Sequence, residues 1–92
     1  MLERIHLEIL TAIKEHGTLT KAADSLHLSQ SALSHSIKKL EGQLATQIWK
    51  KDGRNLRLTA AGQRIQTLAN RVLPQFLHTE LILSQIAKGE MG

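Results

Sequence analysis

The apolar residues of this chain recur in blocks whose spacing changes twice. Leu2, Ile5, Ile9, Ala12 and Ile13 lie three or four apart, which is the spacing of one helix face. Lys14 and His16 suit a last turn, and Gly17 is placed to take the left-handed conformation after it. Thr18 reads as the N-cap of a short second helix with Ala22, Ala23 and Leu26 on its inner face. His27 and Leu28 make a brief connection, and Ser29 caps a third helix over 30–44. The stripe of that helix is Leu33, Ile37, Leu40 and Leu44, spaced four, three and four apart. After Leu44 the period falls to two. Asp52-Gly53 is a short hairpin signal, and Leu56 and Leu58 alternate with Asn55 and Arg57. Two short strands are expected, over 47–50 and 55–58. Thr59 then caps a long helical pattern running to about Ala87.

Two short helices joined by about three residues form a helix-turn-helix, and a hairpin beside it forms a wing. The expected fold is therefore mainly α: a winged helix-turn-helix over 1–58, with a short two-stranded wing, and a long C-terminal helix over 59–88. Residues 89–92 lead out of it. In the long helix Ala61, Ile65, Leu68 and Val72 make one stripe. Beyond them Leu73, Phe76, Leu77, Leu81, Ile82, Leu83 and Ile86 are too wide a set for one seam. A helix apolar on that much of its circumference must be covered on two sides. Its own first helix serves for one side; a second copy is expected on the other, pairing around Phe76, Leu77, Leu81, Leu83 and Ile86. Pro74 lies inside the pattern and is expected to bend it.

Composition narrows the function. A chain of 92 residues is one small domain, with 41% hydrophobic residues and only Trp49 and Phe76 as aromatics. Trp49 is expected to pack beneath the wing rather than to stack on a base. There is no cysteine, so there is neither a disulfide framework nor a thiolate metal site. MLERIHLE lacks a signal-peptide core, and no apolar run approaches a membrane span. A cytoplasmic location fits. The formal net charge of +4 is concentrated: residues 29–62 carry six Lys and Arg against two acids. Such a surface suits a polyanion. His6, His16, His27, His35 and His78 form no H-E-x-x-H pair, and no glycine-rich phosphate loop is present. An enzyme is not indicated, and neither metal nor cofactor is expected in this segment.

The face of the third helix opposite its apolar stripe is short, hydrogen-bonding and basic. Gln30 has the geometry to pair with adenine N6 and N7, Ser31 and Ser34 to bond base edges or phosphate, and His35 to reach guanine or phosphate. Lys38 suits phosphate, and the N–H groups above Ser29 form an anion site at the helix start. Lys50, Lys51, Arg54 and Arg57 alternate along the hairpin, so they cannot all face one surface. Arg54, after the turn, is the favoured reach into a minor groove. Double-stranded DNA is the expected partner. The alternative is a helical interaction module that pairs through residues 60–87 without DNA.

Ala22-Ala23, Leu26, Ser29-Gln30-Ser31-Ala32-Leu33-Ser34, Ile37, Leu40-Glu41 and Leu58-Thr59-Ala60-Ala61-Gly62 together resemble the N-terminal domain of LysR-type transcriptional regulators. The resemblance implies DNA binding by a homodimer, with Gln30, Ser31, Ser34 and His35 as base-reading positions and a linker helix that pairs two subunits. It also implies an effector-binding C-terminal domain absent here, a small-molecule effector for it, and a tetramer for the whole regulator. Lys88-Gly89-Glu90-Met91-Gly92 resembles the hinge before that domain. Four positions depart from the family pattern: Ala45 stands where glycine is usual, Trp49 where phenylalanine is, and His35 and Lys51 where arginine is. A left-handed Ala45 would cost about 1–2 kcal/mol, so a different turn or a longer helix is expected there.

Overall fold

The computed structural model describes residues 1–89, so Glu90, Met91 and Gly92 of the expected hinge lie outside the described residues. Four helices and one hairpin follow in the order α1 (Arg4–His16), α2 (Leu19–Ser25), α3 (Gln30–Leu44), β1 (Trp49–Asp52), β2 (Asn55–Leu58) and α4 (Ala60–Ala87). Each helix start after the first is fixed by a hydroxyl. Thr18 Oγ1 accepts from Lys21 N–H, Ser29 Oγ from Ala32 N–H and Thr59 Oγ1 from Gly62 N–H. These bonds satisfy amides that the helix itself cannot. Gly17 ends α1 at φ 78°, a conformation that costs glycine little.

The core is the junction of the apolar faces of α1 and α3 with the segment leading into the wing. Ile9, Leu10, Ile13, Leu33, Ile37, Leu40 and Ile48 are fully buried there. Ala22 and Ala23 are also buried, so α2 comes close to α1 as two small side chains allow. Leu26, Leu44, Trp49, Leu56 and Leu58 pack against this cluster from its rim.

Several expectations need correction. The first strand begins at Trp49 rather than Gln47. The backbone of Gln47 and Ile48 is committed elsewhere: Ile48 N–H donates to Glu41 Oε2 at 2.7 Å, and both carbonyls accept from the Thr59 hydroxyl. The register pairs Asp52 with Asn55, so the turn is Gly53-Arg54, with Gly53 at φ 65°. Positive φ at the first central residue only is the pattern of a type II′ loop, for which glycine is suited. Ala45 does take the left-handed conformation (φ 56°, ψ 37°) despite its Cβ. Its N–H and that of Thr46 both reach the Glu41 carbonyl, so capping bonds offset the strain. His27 is left-handed as well (φ 57°). There Leu28 N–H bonds Ala23 O and His27 N–H bonds Asp24 O, the paired bonds of a Schellman ending. The buried stripe of α4 is Gly62, Ile65, Gln66 and Ala69, with Leu68 39% exposed. The close approach of Gly62 to Ile48 turns the helix that way.

Among the described residues His6 is the buried titratable group. Its Nδ1 accepts the Glu3 N–H at 2.9 Å, which requires that nitrogen to be unprotonated. Burial lowers its pKa from the ordinary value, partly offset by Glu3. The unfolded chain therefore takes up a proton first as pH falls. Stability held above about pH 6.5 is lost as pH drops through that value toward the lower folded pKa. The urea midpoint should fall between pH 7.5 and pH 5.5. His6→Gln keeps an acceptor for Glu3 without titrating, so its decline should be shallower. Parallel declines in the two proteins would assign the effect to other groups.

Candidate nucleic-acid interface

Two exposed parts of the molecule carry the polar residues that the sequence singled out. The first begins at the start of α3. Ser29 caps this helix by taking the Ala32 amide, and the N–H groups of Gln30 and Ser31, with no carbonyl before them to bond, are left for a ligand. From that end along the helix, Gln30, Ser31, His35, Lys38 and Gly42 are exposed, and Ser34 is half-buried. The opposite side of α3 is locked, because Leu33, Ile37 and Leu40 are buried in the core. The helix thus presents its polar face rigidly. Its one acid, Glu41, is half-buried and spends an oxygen on the Ile48 amide rather than standing among these groups. Gln30 does not hang free: its Nε2 donates to Thr20 Oγ1 on α2 at 3.0 Å. That bond leaves the amide oxygen and one N–H of Gln30 for a ligand.

The hairpin forms the second part. Directly paired residues share a face, and faces alternate along each strand. With Trp49 opposite Leu58 and Lys51 opposite Leu56, these four lie on the side turned to the core. Lys50 and Arg57 form a pair on the other side. Arg57 lies 3.8 Å from Asp52, which partly offsets its charge. Arg54 occupies the exposed turn itself and belongs to neither face. Lys51 remains exposed near the tip although it shares the inward side.

The two parts hold the residues expected at the site, and the structure adds one that sequence reasoning missed. Thr20 is an ordinary exposed hydroxyl on α2 until its bond to Gln30, ten residues on, is seen. A polar residue early in the first helix of a helix-turn-helix, facing the start of the second, is the signal that could have found it. Lys39 lines a hollow of about 200 Å³ with Glu3, His6, His35, Ser36 and Gln43, between the start of α1 and α3. Among the described residues no three His, Cys, Asp or Glu side chains come together as a metal site. No described helix is long and apolar enough to cross a membrane.

Comparison with known proteins places this geometry. Residues 5–63 match the family model described as bacterial regulatory helix-turn-helix protein, lysR family. The chain is 41% identical over 91 residues to the HTH-type transcriptional regulator MetR of Haemophilus influenzae, covering 99% of itself and 29% of that protein. It is 43% identical over 75 residues to MetR of Escherichia coli K12, covering 82% of itself and 24% of the relative. It therefore spans under a third of the length of these curated relatives. Among solved structures, a BenM DNA-binding domain in complex with catB site 1 DNA superposes with a TM-score of 0.80 at 30% identity, covering 97% of this chain and 96% of that one. A CbnR DNA-binding domain in complex with DNA gives 0.76 at 28% identity, with 94% and 99% covered.

Proposed function

This chain belongs to the lysR family of bacterial regulatory helix-turn-helix proteins, and from that membership we propose that its body reads double-stranded DNA as half of a homodimeric transcriptional regulator. The observation that carries the reading is α3 itself. A helix is held by three buried residues on one side and offers Gln30, Ser31, His35 and Lys38 along the other, starting from its capped end. That end suits a major groove, where short donors and acceptors approach base edges. In this reading Gln30, Ser31, Ser34 and His35 face bases, while Ser29 and Lys38 hold phosphate. Lys50, Lys51 and Arg54 follow the backbone or the adjacent minor groove. Thr20 sets the orientation of Gln30.

The exposed apolar residues of α4 supply the pairing surface. Phe76, Leu77, Leu81, Leu83 and Ile86 are all exposed in the single chain. Two-fold pairing there would set two recognition helices about 34 Å apart, or a multiple of that, on a roughly palindromic site. An effector-responsive part would lie in the length of its relatives that this chain does not span, and the working compartment would be the cytoplasm. A pairing module without DNA is the weaker reading, because it leaves the basic excess of residues 29–62 without a purpose.

The roles separate by mutation. On duplexes enriched by this chain from a random pool, Gln30→Ala and Ser34→Ala should each relax base preference, by about 1–3 kcal/mol for a well-formed hydrogen-bonded pairing with a base. Arg54→Ala should weaken all sequences alike and flatten the salt dependence. If Arg54→Ala instead changed base preference and Gln30→Ala lowered affinity uniformly, the reading and clamping roles would have to be exchanged.

A further inference from the structure

The two halves of α4 are held differently. Residues 60–73 are seated on the body, with Gly62 against Ile48 and Ile65, Gln66 and Ala69 buried along α1. From Pro74 to Gly89 every residue except Ile82 and Gln85 is exposed. Pro74 has no amide hydrogen, so the Asn70 carbonyl lacks its helical donor, and a helix bends most readily at such a place. Just past it the α1-facing stripe continues as Phe76 and Glu80, one turn apart. There it meets Arg4, the first residue of α1. Arg4 Nη1 and Nη2 donate to the two carboxylate oxygens of Glu80 at 2.7 and 3.1 Å. Its Nε donates to Glu8 at 2.7 Å, and its guanidinium carbon lies 5.0 Å from the centre of the Phe76 ring. Among the described residues, the side-chain hydrogen bonds from the body to this far half all come from Arg4.

We propose that Arg4, aimed by Glu8 and closed on Glu80 and Phe76, is a clasp that fixes the angle between the DNA-reading body and the far half of α4, and so selects the half-site spacing that a dimer accepts. A guanidinium fork on a carboxylate demands one plane and one direction, and the aromatic face beneath it removes the remaining freedom. An exposed ion pair adds little to stability; here its consequence is orientation. The clasp bridges the weak point at Pro74, with one end on the body and the other two to six residues beyond the proline. Because the pairing surface lies on the far half, any play at the clasp is carried into the separation of the two α3 helices. The proposal rests on the pairing and DNA reading given above.

The chain has no cysteine, so Thr46→Cys, exposed after α3, accepts one spin label per protomer. Pulsed dipolar spectroscopy then measures the distance between the two bodies of a dimer. The labelled parent should give one narrow distribution. Arg4→Gln and Glu80→Gln should each widen it roughly twofold while retaining the parent's helical circular dichroism. On enriched duplexes with the half-site spacing altered by two base pairs, the parent should lose roughly tenfold in affinity and the variants less than about threefold. Binding to a single half-site should be the same for all three proteins. Unchanged widths and an unchanged spacing profile would overturn the clasp alone. A parent without a dipolar signal would overturn the pairing, and a parent that enriches no duplex would overturn the DNA reading; either would take the clasp's role with it.

Discussion

Gly62→Ala should destabilise the domain by about 3 kcal/mol, although alanine is the better helix former by about 1 kcal/mol. A Cβ at this position would sit well inside contact distance of the Ile48 carbonyl oxygen and 3.1 Å from Leu58 Cβ. That carbonyl cannot retreat freely. It accepts from the Thr59 amide at 2.9 Å and from the Thr59 hydroxyl at 3.0 Å. Thr59 in turn caps α4. Making room therefore means overpacking, typically 1–3 kcal/mol, together with loss of the cap, about 0.5–2 kcal/mol; the upper part of that combined cost, less the helix gain of alanine, is about 3 kcal/mol. For a domain of this size a 3 kcal/mol loss lowers Tm by roughly 12–24 °C. Thermal and urea denaturation would measure it. An alanine variant as stable as the parent would show that α4 does not seat on Ile48 in this way.

Replacing Leu77, Leu81 and Leu83 together by asparagine should abolish pairing while leaving the fold intact. These side chains are 61%, 58% and 58% exposed in the single chain, so little of the core depends on them. Asparagine keeps the net charge, so the general attraction to DNA is preserved. What disappears is the linkage between two reading bodies. Engagement of one half-site raises the effective concentration of the second body, a gain of roughly 10²–10⁴ in affinity. The triple variant should sediment as a monomer and lose that factor on a two-half-site duplex. On a single half-site it should bind as the parent does. A triple variant that remains a dimer with full affinity would move the interface to another face.

How much of this was legible in the sequence follows from the range of each interaction. The caps Thr18, Ser29 and Thr59 each act within three residues, so local chemistry revealed them, and the helices start where those side chains direct. The stripe of α3 was legible because Leu33, Ile37 and Leu40 face one core. Features that depend on a distant partner were not. The rotation of α4 that buries Gln66 and exposes Leu68 is decided by the carbonyl of Ile48 against Gly62. The late start of β1 is decided by Glu41 and Thr59 claiming the backbone before it. Left-handed Ala45 and His27 defeat local preference because bonds to Glu41, Ala23 and Asp24 close the two turns. The exposed polar face of α3 was visible in the sequence, whereas the bond from Gln30 to Thr20 was not. Arg4 and Glu80 are 76 residues apart, beyond any periodicity.

The most direct measurement for DNA binding by this surface is the salt dependence of affinity for an enriched duplex. If each protomer neutralises about three to five phosphates with the start of α3, Lys38 and the wing, a dimer releases about six to ten counterions. A plot of log affinity against log salt should then fall with a slope of roughly −5 to −9, which is about 10³–10⁵ in affinity between 50 and 200 mM salt. A slope near zero would contradict DNA binding by this surface.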